Sequence, residues 1–167
     1  MKIVKVVALF LLLLPTQLWA LGSDGDQPIQ VEADSLEVRE AENISIYEGN
    51  VNLVQGSLQI SCDRMVIHFN NANELQLIEM TGDPARFRQL DDDQQEMLGQ
   101  AKQIDYTEAQ SVLELRGTAR FSHAGDIIES DLIRVDTENN GIQAGSSESD
   151  RRVKMLIKPR QDSTPAE

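Results

Sequence analysis

The chain has one cysteine, Cys62, so no internal disulfide can hold it together. Basic residues are scarce. Fifteen Lys and Arg stand against 28 Asp and Glu, a net charge of −13, which excludes the basic surface that nucleic acid requires. Beyond residue 20 no apolar run approaches the roughly 18 residues of a membrane-spanning helix. Only two histidines occur, His68 and His123, and neither has ligand spacing to the other or to Cys62, so no zinc site is expected. Asp91-Asp92-Asp93 lacks the oxygen spacing of a calcium loop and reads as a solvated turn. The chain holds no G-x-S-x-G, no phosphate loop and no nucleotide fingerprint. It is therefore expected to have no catalytic residue, no cofactor and no metal.

The N-terminus is the main departure from this polar composition. Lys2 and Lys5 precede the run Val6–Leu14, then Pro15, and the stretch closes on Leu18-Trp19-Ala20. Positive start, short apolar core and small terminal residue predict a secretory signal peptide at residues 1–20, cleaved after Ala20. No cysteine follows the cut, which excludes a bacterial lipoprotein. Residues 21–150 carry 8 basic and 26 acidic groups, whereas residues 151–167 carry 5 basic and 2 acidic. One domain is expected over residues 21–158, followed by a flexible tail over residues 159–167.

Period-two alternation fills the mature chain, as in Ile29-Gln30-Val31-Glu32-Ala33, Val51-Asn52-Leu53, Ala85-Arg86-Phe87 and Ala119-Arg120-Phe121. One face of each segment is apolar and the other polar, the pattern of half-buried strands. Turn formers separate the segments, among them Gly49-Asn50, Gly56-Ser57, Gly82-Asp83-Pro84 and Asn139-Asn140-Gly141. Counted this way, about sixteen short strands fit an all-β domain. The inward set includes Ile29, Val31, Leu36, Val38, Val51, Leu53, Ile60, Met65, Phe87, Ile104, Tyr106, Leu115 and Phe121. Asp34, Asp63 and Asp131 stand just before such segments, where side-chain-to-backbone turn bonds are expected. Cys62 reads as a small buried hydrophobe.

The sequence also repeats. At an offset of 68, Ala33 falls on Ala101, Leu36 on Ile104, Gly49 on Gly117, Leu53 on Phe121, Ile60 on Ile128 and Asp63 on Asp131. A unit of that size cannot bury its apolar face alone, so stacked units share one core. Two sheets facing each other can meet as a closed sandwich or splay open along one side, and alternation does not choose between them.

Gln27-Pro28-Ile29-Gln30-Val31-Glu32-Ala33-Asp34, Tyr47-Glu48-Gly49-Asn50-Val51, Val54-Gln55-Gly56-Ser57-Leu58-Gln59-Ile60 and Gly82-Asp83-Pro84-Ala85-Arg86-Phe87 resemble the OstA-like domain, over about residues 27–158. That resemblance implies a slightly twisted, open β-jelly roll of about sixteen antiparallel strands in the Gram-negative periplasm. It implies that the lumen shelters lipopolysaccharide acyl chains, with Ile29, Val31, Phe87 and Tyr106 as lipid contacts. It further implies end-to-end self-association. The N-terminal edge would meet an anchored inner-membrane partner of the same domain type, and the C-terminal edge an outer-membrane translocon. Arg151, Arg152, Lys154, Lys158 and Arg160 would steer an acidic neighbour. The rival expectation is a closed β-module that binds an envelope protein or glycan and carries no lipid. A jelly-roll hydrolase lacks a nucleophile–base pair.

Overall fold

The computed structural model of the chain describes residues 24, 27–139, 141–145 and 152–159. The expected signal peptide, Arg151, Arg160 and all but the first residue of the expected tail lie outside them. Ten strands are described: β1 (Gln30–Glu32), β2 (Ser35–Arg39), β3 (Ile44–Gln55), β4 (Leu58–Phe69), β5 (Leu75–Leu90), β6 (Glu96–Thr107), β7 (Val112–His123), β8 (Asp126–Asp136), β9 (Gly141–Ala144) and β10 (Lys154–Leu156). All belong to one antiparallel sheet in the order β1-β3-β4-β5-β6-β7-β8-β10, with β2 also on β3 and β9 also on β8.

The ladder breaks register along one line: between Glu48 and Val51 in β3, Ser61 and Arg64 in β4, Thr81 and Ala85 in β5, Gln100 and Gln103 in β6, and Arg116 and Ala119 in β7. Extra residues at these points bend each strand. The line divides the sheet into two leaves. Leaf A holds β1, β10 and residues 51–55, 58–62, 85–90, 96–101, 119–123 and 126–130. Leaf B holds β2, β9 and residues 44–48, 64–69, 75–81, 103–107, 112–116 and 132–136. Val51, Leu53, Phe87 and Phe121 of leaf A share one core cluster with Met65, Met80, Ile104, Leu115 and Ile133 of leaf B. The apolar faces therefore look at each other across the fold.

Ten strands among the described residues stand where about sixteen short ones are expected, because six strands of 11 to 16 residues run through both leaves. Gly49-Asn50 and Gly82-Asp83-Pro84, turn formers in the sequence, are bends inside β3 and β5. The structure also places Asp63 and Asp131 inside β4 and β8 and not before strands. Asp63 accepts the Asp83 backbone N–H at 3.2 Å across the bend. Asp34 instead takes the Asn50 side-chain amide, at 2.8 Å.

The repeat is carried in the backbone. One-turn 3₁₀ segments at Glu40–Glu42 and Glu108–Gln110 each end on a residue at positive φ, Asn43 at 54° and Ser111 at 51°. Gly49 and Gly117 make the bends of β3 and β7 at φ 78° and 77°. Leaf tips are closed by side chains that stand in for backbone: Asn70 Oδ1 accepts the amides of Ala72 and Glu74, and Asp91 Oδ1 that of Gln95.

Candidate functional site

Toward the tips the two leaves separate and leave a cavity of about 630 Å³. Leu58, Ile60, Phe87, Met97 and Phe121 line it from leaf A, and Ile78, Met80, Tyr106, Leu113 and Val135 from leaf B. The volume is ordinary for a site that takes one apolar ligand or part of a larger one. Its rim is acidic. Asp24, Asp91, Asp92 and Asp93 stand at the leaf A side, and Glu108 and Glu138 at the leaf B side. An apolar floor under a charged rim is complementary to an amphiphile whose polar end stays in water.

The aromatic part of the floor depends on a glycine. Gly99 of β6 lies opposite Phe87 of β5, and a Cβ on Gly99 would fall 1.9 Å from Phe87 Cε1. With no side chain there, the ring occupies the space that a Cβ on Gly99 would take. It meets Phe121 with centroids 6.3 Å apart and planes tilted by 34°. Tyr106 faces them from leaf B. Partial burial pushes its phenol pKa up, and a hydrogen bond to the Glu108 carboxylate adds to the shift.

Of the thirteen inward residues read from the sequence, Ile60, Phe87, Tyr106 and Phe121 line the cavity. Val51, Leu53, Met65, Ile104 and Leu115 are buried in the core behind it, with Val31 packed against them. Ile29, Leu36 and Val38 are exposed along the N-terminal edge. Alternation passed over Ile78 and Met80, because the doublet Leu77-Ile78 carries both phases at once. Cys62 is buried, and desolvation, reinforced by the nearby Asp63 charge, raises its thiol pKa to about 11. His68 pairs with Glu79 and His123 with Asp91, each at 2.7 Å. His123 is the last residue of β7.

Two polar clasps hold the rim. Asp24 accepts the Ser57 amide at 2.8 Å, the Ser57 hydroxyl at 2.6 Å and the Gln89 amide at 3.1 Å. Burial opposes its charge, but these hydrogen bonds outweigh that effect and hold its pKa below the ordinary value. At Asp91 the His123 ring acts first and the Gln95 amide second, again lowering the carboxyl pKa. A carboxyl whose pKa is lower folded than unfolded contributes stability above its unfolded pKa, and that contribution is lost as pH falls through the folded value. Unfolding midpoints should accordingly fall as pH drops below about 4, where an ordinary Asp begins to protonate. Asp91→Asn should flatten that acid limb in a series of urea titrations from pH 6 to pH 2.5. An unchanged limb in the variant would remove the clasp from the account.

Residues 30–140 match the family described as LptA/(LptD N-terminal domain) LPS transport protein. The lipopolysaccharide export system protein LptA of Escherichia coli K12 is 29% identical over 153 residues, 91% of this chain and 83% of that protein. LptH of Pseudomonas aeruginosa, named as a lipopolysaccharide export system protein, is 27% identical over 150 residues, 84% of this chain and 85% of its own length. The crystal structure of LptH from Pseudomonas aeruginosa, described as the LptA homologous periplasmic component of the lipopolysaccharide transport device, superposes with a TM-score of 0.74 at 26% identity. That superposition covers 83% of this chain and all of the LptH chain.

Proposed function

The chain belongs to this family of lipopolysaccharide transport proteins, and from that premise we propose that it is a periplasmic carrier that shelters the acyl chains of lipid A between its two leaves and stacks edge to edge into a bridge between the inner and outer membranes. The observation that carries the reading is the apolar cavity with its aromatic floor, open to solvent at an acidic rim.

Each acyl CH₂ exposed to water costs about 0.8 kcal/mol, so an uncovered lipid does not cross an aqueous gap at a useful rate. A groove as apolar as the membrane interior removes most of that cost without holding the cargo tightly. Transfer between them is then close to neutral, and direction comes from an energy-consuming partner. The phosphorylated sugar end emerges where Asp24, Asp91, Asp92 and Asp93 stand, so it is not gripped by a basic surface. Recognition rests on the acyl chains, with Phe87, Phe121, Tyr106 and Ile60 as the first contacts and the core residues Val51, Leu53, Met65, Ile104 and Leu115 behind them.

Both lateral edges of the sheet present apolar side chains: Ile29, Leu36 and Val38 at one end, and Val153, Met155 and Ile157 at the other. Unpaired edges of that kind are a liability in an isolated molecule and a joint in an assembly. The N-terminal edge suits the anchored inner-membrane partner and the C-terminal edge the outer-membrane translocon, with further copies of the chain between.

A photoreactive residue at Phe87, which lines the cavity, should give lipopolysaccharide adducts in intact envelopes. The same residue at Arg88, exposed and bonded to Glu96 at 2.6 Å, should give none. Adducts at neither position in an exported, folded protein would sink the carrier reading in favour of a module that binds without lipid.

A further inference from the structure

The chain is acidic overall, but its two outer faces differ. On leaf B each outward arginine is paired with a carboxylate: Arg39 with Glu37, Arg64 with Glu48, Arg116 with Asp105 and Arg134 with Glu114. On leaf A, alternation turns Arg86 outward between the buried Ala85 and Phe87, and Arg120 outward between the buried Ala119 and Phe121. Arg88 is tied to Glu96 and Arg120 to Glu129. Arg86 has no carboxylate partner among the described residues, and its guanidinium donates to the Pro84 carbonyl at 3.4 Å.

The ladder sets these groups in one line across the strands. Ser61 lies opposite Arg86, Arg86 opposite Gln100, and Gln100 opposite Arg120. Arg120 in turn lies opposite Glu129, and Glu129 opposite Lys154. Cations therefore stand on every second strand, about 9.6 Å apart, at Arg86, Arg120 and Lys154. The line lies in a trough. One stretch of it, of about 460 Å³, is walled by Asn52, Ser61, Arg86 and Arg88 among others, and a second of about 340 Å³ continues past Glu129 to Lys154. Gln100 and Arg120 belong to both stretches. Val54 and Leu98 add exposed apolar side chains to the wall.

We infer that this trough binds an acidic polysaccharide, laid across the strands with its carboxylates over Arg86, Arg120 and Lys154. The site is a line and not a point, so its ligand is extended. Its cations are spaced, and a sugar polymer with a carboxylate on every second residue repeats at about the distance of two strands. Guanidinium groups meet carboxylates with paired N–H donors. Between the cations stand Gln100 and Glu129, whose oxygens accept sugar hydroxyls. A second anionic group at that place is repelled by Glu129. Nucleic acid, a polyacidic peptide or an anionic lipid surface presents charge at every position and meets that repulsion. A polymer that alternates carboxylates with hydroxyls escapes it. Val54 and Leu98 suit the carbon faces of the rings. The apolar cavity lies on the other face of leaf A, so occupancy of one site leaves the other free.

Hyaluronan oligosaccharides carry a carboxylate on every second sugar, and lengths that cover all three cations are the probe. Titrated calorimetrically into the exported chain at low salt they should bind, and added salt should weaken the binding. Arg86→Ala and Arg120→Ala should each lower the affinity roughly three- to tenfold, with circular dichroism unchanged. Arg86→Lys, which keeps the charge and loses the fork, should retain part of it. Arg64→Ala, on the outer face of leaf B, should have no effect. Absence of binding overturns the site, as does binding that is indifferent to both arginines. A neutral chitin oligosaccharide of the same length should bind far more weakly, and equal binding would remove charge from the recognition. Polyglutamate binding as tightly as hyaluronan would overturn the polysaccharide in favour of an acidic protein segment.

Discussion

Phe121→Ala is expected to lower the free energy of unfolding by about 3–5 kcal/mol, a third or more of what a domain of this size commonly has. Phe121 is 2% exposed and is the largest of the side chains buried almost completely. It belongs to the core cluster drawn from both leaves, so its removal leaves a void that no single leaf can close. It also supports Phe87, whose ring has the open face of Gly99 on one side and Phe121 on the other. Urea unfolding followed by circular dichroism measures the loss directly, and an unchanged m-value identifies it as stability and not a change of unfolded state. A loss below about 1 kcal/mol would mean that the leaves repack freely and that the aromatic floor is not a fixed surface.

The second large effect separates two positions that the repeat makes equivalent. Gly49 and Gly117 occupy the same bend at the same φ, so alanine at either one meets the left-handed penalty of about 1–2 kcal/mol. Their surroundings differ. A Cβ at Gly49 would lie 2.3 Å from Asp34 Oδ2 and 2.9 Å from Asp34 Cβ, whereas one at Gly117 would meet only the side-chain carbons of Lys102, at 3.2 Å or more. Lys102 can swing aside. Asp34 cannot do so and still take the Asn50 amide, while its own N–H donates to the Gly49 carbonyl at 2.9 Å. Gly49→Ala should therefore cost about 3 kcal/mol and Gly117→Ala about half of that, the difference being the broken bonds of Asp34. The same urea titrations decide it, and equal costs would show that the Asp34 clasp contributes nothing.

The repeat was legible because both copies needed the same backbone. Gly49 and Gly117 each supply a positive φ, and the apolar alternation on either side of them survives intact. The strand count was not legible, and the reason is local. Gly49-Asn50 in the middle of β3 and Gly56-Ser57 at its end are equally good turn formers, and only the pairing partner tells a bend from a hairpin. β4 runs alongside β3 on both sides of Gly49, a fact about residues 58 to 69 that no window around residue 49 contains. Exposure at the edges was hidden for a similar reason. Leu36 and Val38 alternate as Ile104 and Tyr106 do, but β6 has a strand on either side whereas β2 has one. Cavity lining was legible where the alternation was clean, as at Phe87 and Phe121, and lost where it doubled, as at Leu77-Ile78.

The line of bends also sets a unit of length. Strands run across the long axis of the sheet and their hydrogen bonds run along it, so the molecule is as long as its number of strand positions. Eight positions at about 4.8 Å make a copy about 38 Å long. The 68-residue repeat is four positions, about 19 Å, and its ends match its middle. In the bridge proposed above, a gap between two membranes would be fitted coarsely by the number of copies and finely by the number of units in one copy. Neither adjustment would alter the cross-section of the path. The length of the proposed bridge is in this sense an arithmetic property of the chain, separable from what the cleft would carry.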